Sequence, residues 1–186
     1  MPPKVKVTKE DIVSAAVKVV RECGEQALNA RTLALILECS TQPIFSNFAS
    51  MDELRMAVVH KADMLSWEYI KREVESGVYP PYKASGMAYI RFAKEERELF
   101  KLLYMRDRTN EKTPEADGFG EDMESMVQSN TGLSGDMARR FHLEMWAFVH
   151  GIAVMLATSF VDLDFDLASR MITDVYQGLR KQYGLE

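Results

Sequence analysis

Two cysteines in a chain of 186 residues are too few for a disulfide framework, and Cys23 and Cys39 fit a reducing compartment. Cys39 falls where a turn is expected, which leaves a redox role open to it beside the commoner use of cysteine as a small buried residue. Metal ligation has little to build on: His142 and His150 are eight apart with no cysteine or carboxylate at ligand spacing, and His60 stands alone. No apolar run approaches the roughly 18 residues needed to span a bilayer, since the longest, 146–161, is broken by His150, Thr158 and Ser159. Residues 1–12 lack the apolar core of a secretory signal. Also missing are a glycine-rich phosphate loop, a Ser-His-Asp or Cys-His arrangement of suggestive spacing, strand alternation, repeats and low-complexity tracts. These absences argue against catalysis, a bound cofactor, a metal centre and membrane insertion, and they imply a cytoplasmic protein.

Basic charge is scarce too. The net charge of −5 by itself argues against a strongly basic nucleic-acid binder. The distribution is less adverse: residues 1–50 carry +1 and the remainder −6, so the front of the chain is the part least repelled by phosphate.

What the chain has is helical periodicity and apolar content of 47%, enough for a sizeable core. Residues 1–7 have no periodicity and two prolines, and Lys4 and Lys6 belong either to a disordered start or to an arm that reaches DNA. Thr8 and Asp11 cap a first helix whose stripe Ile12, Ala15, Ala16, Val19 and Val20 ends before Gly24. With Leu28, Leu33, Ile36, Leu37, Ile44 and Phe48 it predicts a three-helix core. A continuous pattern from Met51 to about Ser76 reads as one helix of about 38 Å, stopped by Gly77 and the Pro80-Pro81 pair. Further helices are expected over 82–93, 95–104, 119–129 and 135–160, the last of these capped by Ser134. A final helix, opened by Asp162 and Asp164, carries the stripe Leu167, Met171, Ile172, Val175 and Leu179. Residues 105–117 read as a surface loop. The fold class is therefore all-α, with nine helices.

The stretch from Asn29 to Leu54, NARTLALILECSTQPIFSNFASMDEL, organises the front of the chain. Ala30 to Glu38 predicts a short helix, Ser40 a cap, and Thr41 to Phe48 a brief second helix that tolerates Pro43 in its first turn. Ser50 and Glu53 form an S-x-x-E capping box that starts the next helix. Two short helices joined by a tight turn, the second presenting small polar side chains at its start, read as a helix-turn-helix.

This order of residues resembles the tetracycline-repressor (TetR) family of bacterial transcriptional regulators. Arg31 stands as the arginine of the second helix, Ser40 follows the turn, Ile44-Phe45 stands where Leu-Tyr is usual, and Asn47-Phe48 where His-Phe is usual. A second resemblance lies in Tyr89, Phe92, Ala93, Leu99, Phe100, Trp146, His150 and Gly151, which are similar to a C-terminal domain of the same family marked by Tyr-x-x-Phe-Ala, Leu-Phe and Trp-x-x-x-His-Gly. Arg97 departs from a usual proline there, which predicts a softer break between the two helices.

The resemblance implies a helix-turn-helix domain over 1–50 and a linking helix with a ligand-binding and dimerisation domain over 51–186. It implies a dimeric repressor released from its DNA operator by a small apolar effector. Gln42 has the chemistry to pair with adenine, while Thr41 and Ser46 can read a base or hold a phosphate. Arg31 and Asn47 are base or backbone contacts by resemblance, and Lys4, Lys6, Ser40 and Phe45 complete the candidate DNA-binding set. Phe45 lacks the tyrosine hydroxyl usual there and also has a use as a core residue. With Met51 in place of a lysine and Pro43 in place of a small or hydroxyl residue, it predicts modest affinity and a shallow salt slope.

Candidate pocket residues are Met64, Trp67, Met87, Tyr104, Met123, Met126, Trp146 and His150, each of which has the alternative of simply filling the core. Met105 and Phe148 are expected in the same interior. The candidate homodimer interface is Ala147, Gly151, Val154, Leu167, Met171, Val175 and Leu179, with Ala153 and Ala157 also allowing close helix approach. Two other readings stand beside this one: a helical carrier or enzyme with no DNA role, and a TetR-like ligand-binding protein with weak or lost operator binding.

Overall fold

The computed structural model describes residues 7–106 and 120–185. Nine α-helices and one 3-10 turn occur among the described residues, with no strand. Part of the predicted surface loop, the expected helix start at Phe119, and Lys4 and Lys6 lie outside them. Contacts divide the chain into two compact units. One holds everything up to Leu65 together with Glu96–Arg106; the other holds Ser66–Glu95 and the described residues from Gly120 onward.

In the first unit, α1 (Lys9–Cys23) opens as its sequence predicts. The Thr8 hydroxyl accepts the Asp11 amide at 3.1 Å and the Asp11 carboxylate accepts the Thr8 amide at 2.9 Å. Ile12, Ala16 and Val20 of its stripe are fully buried. A 3-10 turn, Glu25–Ala27, then brings the chain to Asn29, whose Oδ1 accepts the Arg31 and Thr32 amides and so caps α2 (Ala30–Ile36). Next come α3 (Gln42–Asn47) and α4 (Met51–Glu75), a single helix of 25 residues that starts in the first unit and ends in the second.

Ser50 caps α4 by accepting the Glu53 amide at 3.2 Å, but the Glu53 carboxylate returns to the Ala49 amide at 2.7 Å, one residue upstream of the partner a capping box uses. The same carboxylate takes Lys9 Nζ of α1 at 3.3 Å. The unit is completed by α6 (Arg97–Tyr104), whose Leu99 and Phe100 are fully buried; α1 packs on α2, α3 and α6. Arg21 donates from Nε to the Glu96 carboxylate at 2.7 Å, just before α6 begins.

The second unit is built around α5 (Pro81–Glu95), which packs against α7 (Glu121–Thr131), α8 (Gly135–Ala157) and α9 (Phe165–Gln182). Nine of its side chains are buried, Met87, Ile90 and Phe92 among the largest. A β-carbon at Gly86 would touch Val149 of α8 at 3.6 Å and Ile172 of α9 at 3.8 Å, so glycine marks the line where the three helices meet. Tyr69 meets Phe92 edge-on at 5.4 Å. Asp164 caps α9 by accepting the Leu167 amide at 2.6 Å.

Several expectations are corrected. Ile36 is 47% exposed and Leu37 half-buried, so the first unit's core takes Leu33 and Ala34 from α2 and stops there. Ser40 caps nothing: Thr41 holds the position before α3 and makes no side-chain cap bond, and Ser134 makes none before α8. Arg97 does not soften the break after α5, because Glu96 leaves the helical conformation while its carboxylate is held by Arg21. Met64, Trp67 and Met105, expected inside, are exposed. Ala153 and Ala157 are buried within the chain and so face away from any partner. Cys23 is exposed and Cys39 half-buried, so neither is the small buried filler expected.

Replacing Asn29 with alanine leaves two first-turn amides of α2 without their acceptor, and chemical denaturation should register a loss of about 1 kcal/mol. Asp11 and Glu53 are both held below the ordinary carboxylate range, by the Thr8 and Ala49 amides first and then by the Thr8 hydroxyl and Lys9. Their stabilisation is complete above the unfolded carboxylate values, about pH 4, and is lost as pH falls through the lowered folded values. Melting followed from pH 6 to pH 2 should therefore show a smaller decline for Glu53→Gln than for the parent chain.

Candidate functional site

The turn between α2 and α3 is made without glycine. Glu38 adopts φ 50° and the Cys39 amide reaches back to the Ala34 carbonyl at 3.0 Å, the bond that closes a helix whose next residue is left-handed. On α3 the buried face is Ile44, fully enclosed, with Phe48 just past the last turn at 2% exposure. Helical geometry puts Gln42 and Ser46 on the opposite face, and both are exposed. Phe45 stands on the flank between these faces and is 52% exposed, which removes its alternative use as a core residue. Ser46 donates its hydroxyl to the Gln42 carbonyl at 2.9 Å, and Asn47 donates from Nδ2 to the Pro43 carbonyl at 2.8 Å.

Of the candidate DNA-binding set, Arg31, Ser40, Gln42, Phe45 and Ser46 are exposed, and Thr41 and Asn47 are half-buried. All seven belong to the first unit. Leu35, 81% exposed, and Ile36 add an apolar surface at the end of α2 that the sequence reading missed. The i, i+3 and i+4 rule assigned Ile36 to the buried stripe, but a helix of seven residues has too few turns to fix the width of that stripe.

The eight candidate pocket residues are divided between the two units. Met64 and Tyr104 belong to the first unit, with Tyr104 against Phe100 at 5.0 Å. Trp67 is exposed, Met87 is fully buried in α5, and Met123 and Met126 are half-buried on α7. Trp146 and His150 do come together: the rings stack at 4.7 Å with planes 18° apart, and the Tyr89 hydroxyl lies 2.8 Å from His150 Nδ1. Burial holds His150 below its ordinary value, so the ring is neutral near pH 7 and Nδ1 can accept the tyrosine proton. A second tyrosine–histidine pair, Tyr82 with His142 Nδ1 at 3.2 Å, lies deeper and was not anticipated, since sixty residues separate its members. Burial, and then Tyr176, push the Tyr82 phenol up, keeping it protonated. A recess of about 180 Å³ in the first unit is lined by Glu25, Gln26, Glu98, Lys101 and Arg106 together with Leu102 and Met105, and contains none of the candidate pocket residues.

On the outer sides of α8 and α9 the candidate interface residues are all at least partly uncovered. Ala147, Gly151 and Leu167 are exposed, while Val154, Met171, Val175 and Leu179 are half-buried.

Residues 82–175, half of the chain, match the family described as tetracyclin repressor-like, C-terminal domain. The chain belongs to the TetR family. Its fold is that of solved TetR structures over nearly its whole length. A TetR-like transcriptional regulator from Rhodococcus sp. RHA1 superposes with a TM-score of 0.69 at 16% identity, covering 99% of each chain. A TetR family member from Streptomyces coelicolor A3 gives 0.63 at 17% identity, over 89% of this chain and 96% of that one. The multidrug binding protein EbrR, complexed with imidazole, gives 0.62 at 17% identity over 91% of each. No functionally curated protein matches the sequence. The TetR family is one of transcription regulators, and no described helix of this member is long and apolar enough to cross a membrane.

The environment of His150 has a measurable consequence. Because its folded value is lowered, the unfolded chain takes up a proton near pH 6.5 that the folded chain resists. Stability should therefore fall as pH is lowered through 6.5 toward the folded value. Melting curves of His150→Gln should lack this component.

Proposed function

We infer that this TetR-family chain is a dimeric, ligand-responsive DNA-binding regulator, a repressor that a small apolar effector releases from its operator. The observation that carries the reading is the division of α3: Ile44 and Phe48 are locked inside while Gln42 and Ser46 stand outside, as a helix entering a major groove requires. Gln42 offers the bidentate pattern that suits adenine. Arg31, Ser40, Thr41 and Asn47 border it and supply base or phosphate contacts, and Lys4 and Lys6 add phosphate charge. On this reading residues 1–50 form the DNA-binding domain and 51–186 the ligand-binding and dimerisation domain. The protein acts in the cytoplasm, by binding and not by catalysis.

Two-fold dimers read operators because one half-site rarely gives useful affinity. The uncovered α8 and α9 faces supply the surface, with Ala147, Gly151 and Val154 on one helix and Leu167, Met171, Val175 and Leu179 on the other. The effector site is proposed among Met87, Met123 and Met126, which are apolar and adaptable, and the stacked rings of Trp146 and His150, all in the second unit. Multidrug binding belongs to the neighbour EbrR, and its likeness in fold supports an effector role here without naming the compound. A ligand that favours one spacing of the two heads over another changes DNA affinity reciprocally.

A weaker operator grip is the second reading. Phe45 has no hydroxyl to offer a phosphate, the Ser46 hydroxyl donates to its own helix, and so does one of the two Asn47 Nδ2 hydrogens. Fewer neutralised phosphates lower both the affinity and its salt dependence.

Fluorescence anisotropy with duplexes from the DNA flanking its own gene tests the proposal. The expected result is sequence-preferential binding with a shallow salt slope. A β-carbon at Gly151 would meet nothing within 4 Å inside the chain, so Gly151→Arg should fold normally, halve the mass seen by light scattering and abolish DNA binding. A parent chain that is monomeric, or that binds all duplexes alike, would refute the proposal.

A further inference from the structure

We propose that Phe45 is a specificity-determining residue that reads the 5-methyl group of one thymine in each half-site; the inference rests on the DNA-binding reading above. A large apolar ring that is 52% exposed on α3 is unlike its neighbours, since Gln42 and Ser46 are polar and Ile44 and Phe48 are enclosed. Packing does not explain it. The core of the unit is closed beneath α3 by Ile44 and Phe48, and about half of Phe45 stays in the solvent beside them.

The chemistry of a major groove narrows what this ring can meet. Phenylalanine donates and accepts nothing, so a phosphate oxygen in front of it would lose water and gain no partner. The edges of guanine, adenine and cytosine present acceptors and amino groups, and pressing a ring on them carries the same cost. Thymine alone presents an apolar group in that groove, the 5-methyl, which favours contact with an aromatic ring. That methyl lies on the side of the base edge nearest its own phosphate wall. Phe45 lies on the matching part of α3: one turn from Gln42 and on the flank of the exposed face, not at its centre. The neighbouring polar groups leave the position to the ring, because the Ser46 hydroxyl and the Asn47 amide donate to the Gln42 and Pro43 carbonyls. Gln42 and Phe45 would thus read adjacent features, an adenine edge by hydrogen bonds and a thymine by its methyl.

The test begins with selection of bound duplexes from a random-sequence library by the full-length protein. Each thymine of the selected duplex is then replaced in turn by deoxyuridine, which removes the methyl and keeps every hydrogen-bonding group. The expected result is one thymine per half-site whose replacement weakens binding about fourfold, the factor that burial of one methyl-sized group is worth. In Phe45→Ala that difference should vanish, while Phe45→Tyr, which keeps the ring, should retain it. If no thymine responds, or if the response persists in Phe45→Ala, the inference is overturned and the DNA-binding reading stands. Should the library yield no enriched sequence, the DNA-binding reading fails and the inference with it.

Discussion

A helix of six residues does not hold itself together in water, because the cost of forming its first turn is never recovered over so short a run. The helix α3 exists because Ile44 and Phe48 are pressed into the core of the first unit, and the orientation of every exposed side chain on it follows from those two anchors. Around this contact the chain adds constraints that need no further apolar area. Glu38 bends the backbone ahead of α3, and behind it the Glu53 carboxylate ties the Ala49 amide to Lys9 of α1. Lys9 also lies 4.6 Å from the centre of the Phe48 ring, so one ammonium serves both the turn and the anchor.

The second unit is held differently. Its helices are long, and α5 is buried along almost its whole length, so side-chain packing fixes the geometry and the polar groups are fitted to it. Tyr82 with His142 and Tyr89 with His150 illustrate this: each imidazole brings its Nδ1 to a phenol carried by α5. At His150 a neutral phenol suits a ring that burial holds below its ordinary value, since a charge there would carry a desolvation cost. The result is an interior that is largely apolar and polar at these two points.

Much of this was legible in the sequence. Helical periodicity gave the number of helices, and local capping rules placed Thr8 and Asp11 correctly, because both members of that cap lie within one turn. The family resemblance rested on side chains at fixed spacing, and the match over residues 82–175 agrees with it. What failed were inferences about what covers a face. Met64 and Trp67 sit at helical spacing on α4, and spacing alone does not say whether the face they share meets the protein or the solvent. Ile36 failed for a related reason, and the Tyr82–His142 pair was invisible because nothing local links residues so far apart. In the candidate site, the exposure of Gln42 and Ser46 followed from the pattern, while the capture of the Ser46 and Asn47 donors by their own helix required coordinates.

The first unit is not one continuous piece of chain. It takes residues up to Leu65, releases the polypeptide to the second unit, and receives it back for Glu96–Arg106, where Leu99 and Phe100 enter its interior and Glu96 takes Arg21. A fragment cut after α4 would present α1 with a missing wall. Exchange of DNA specificity between relatives, whether by recombination or by engineering, would accordingly have to carry two separated segments of gene together, and a graft of the N-terminal third alone would arrive with a hole in its side.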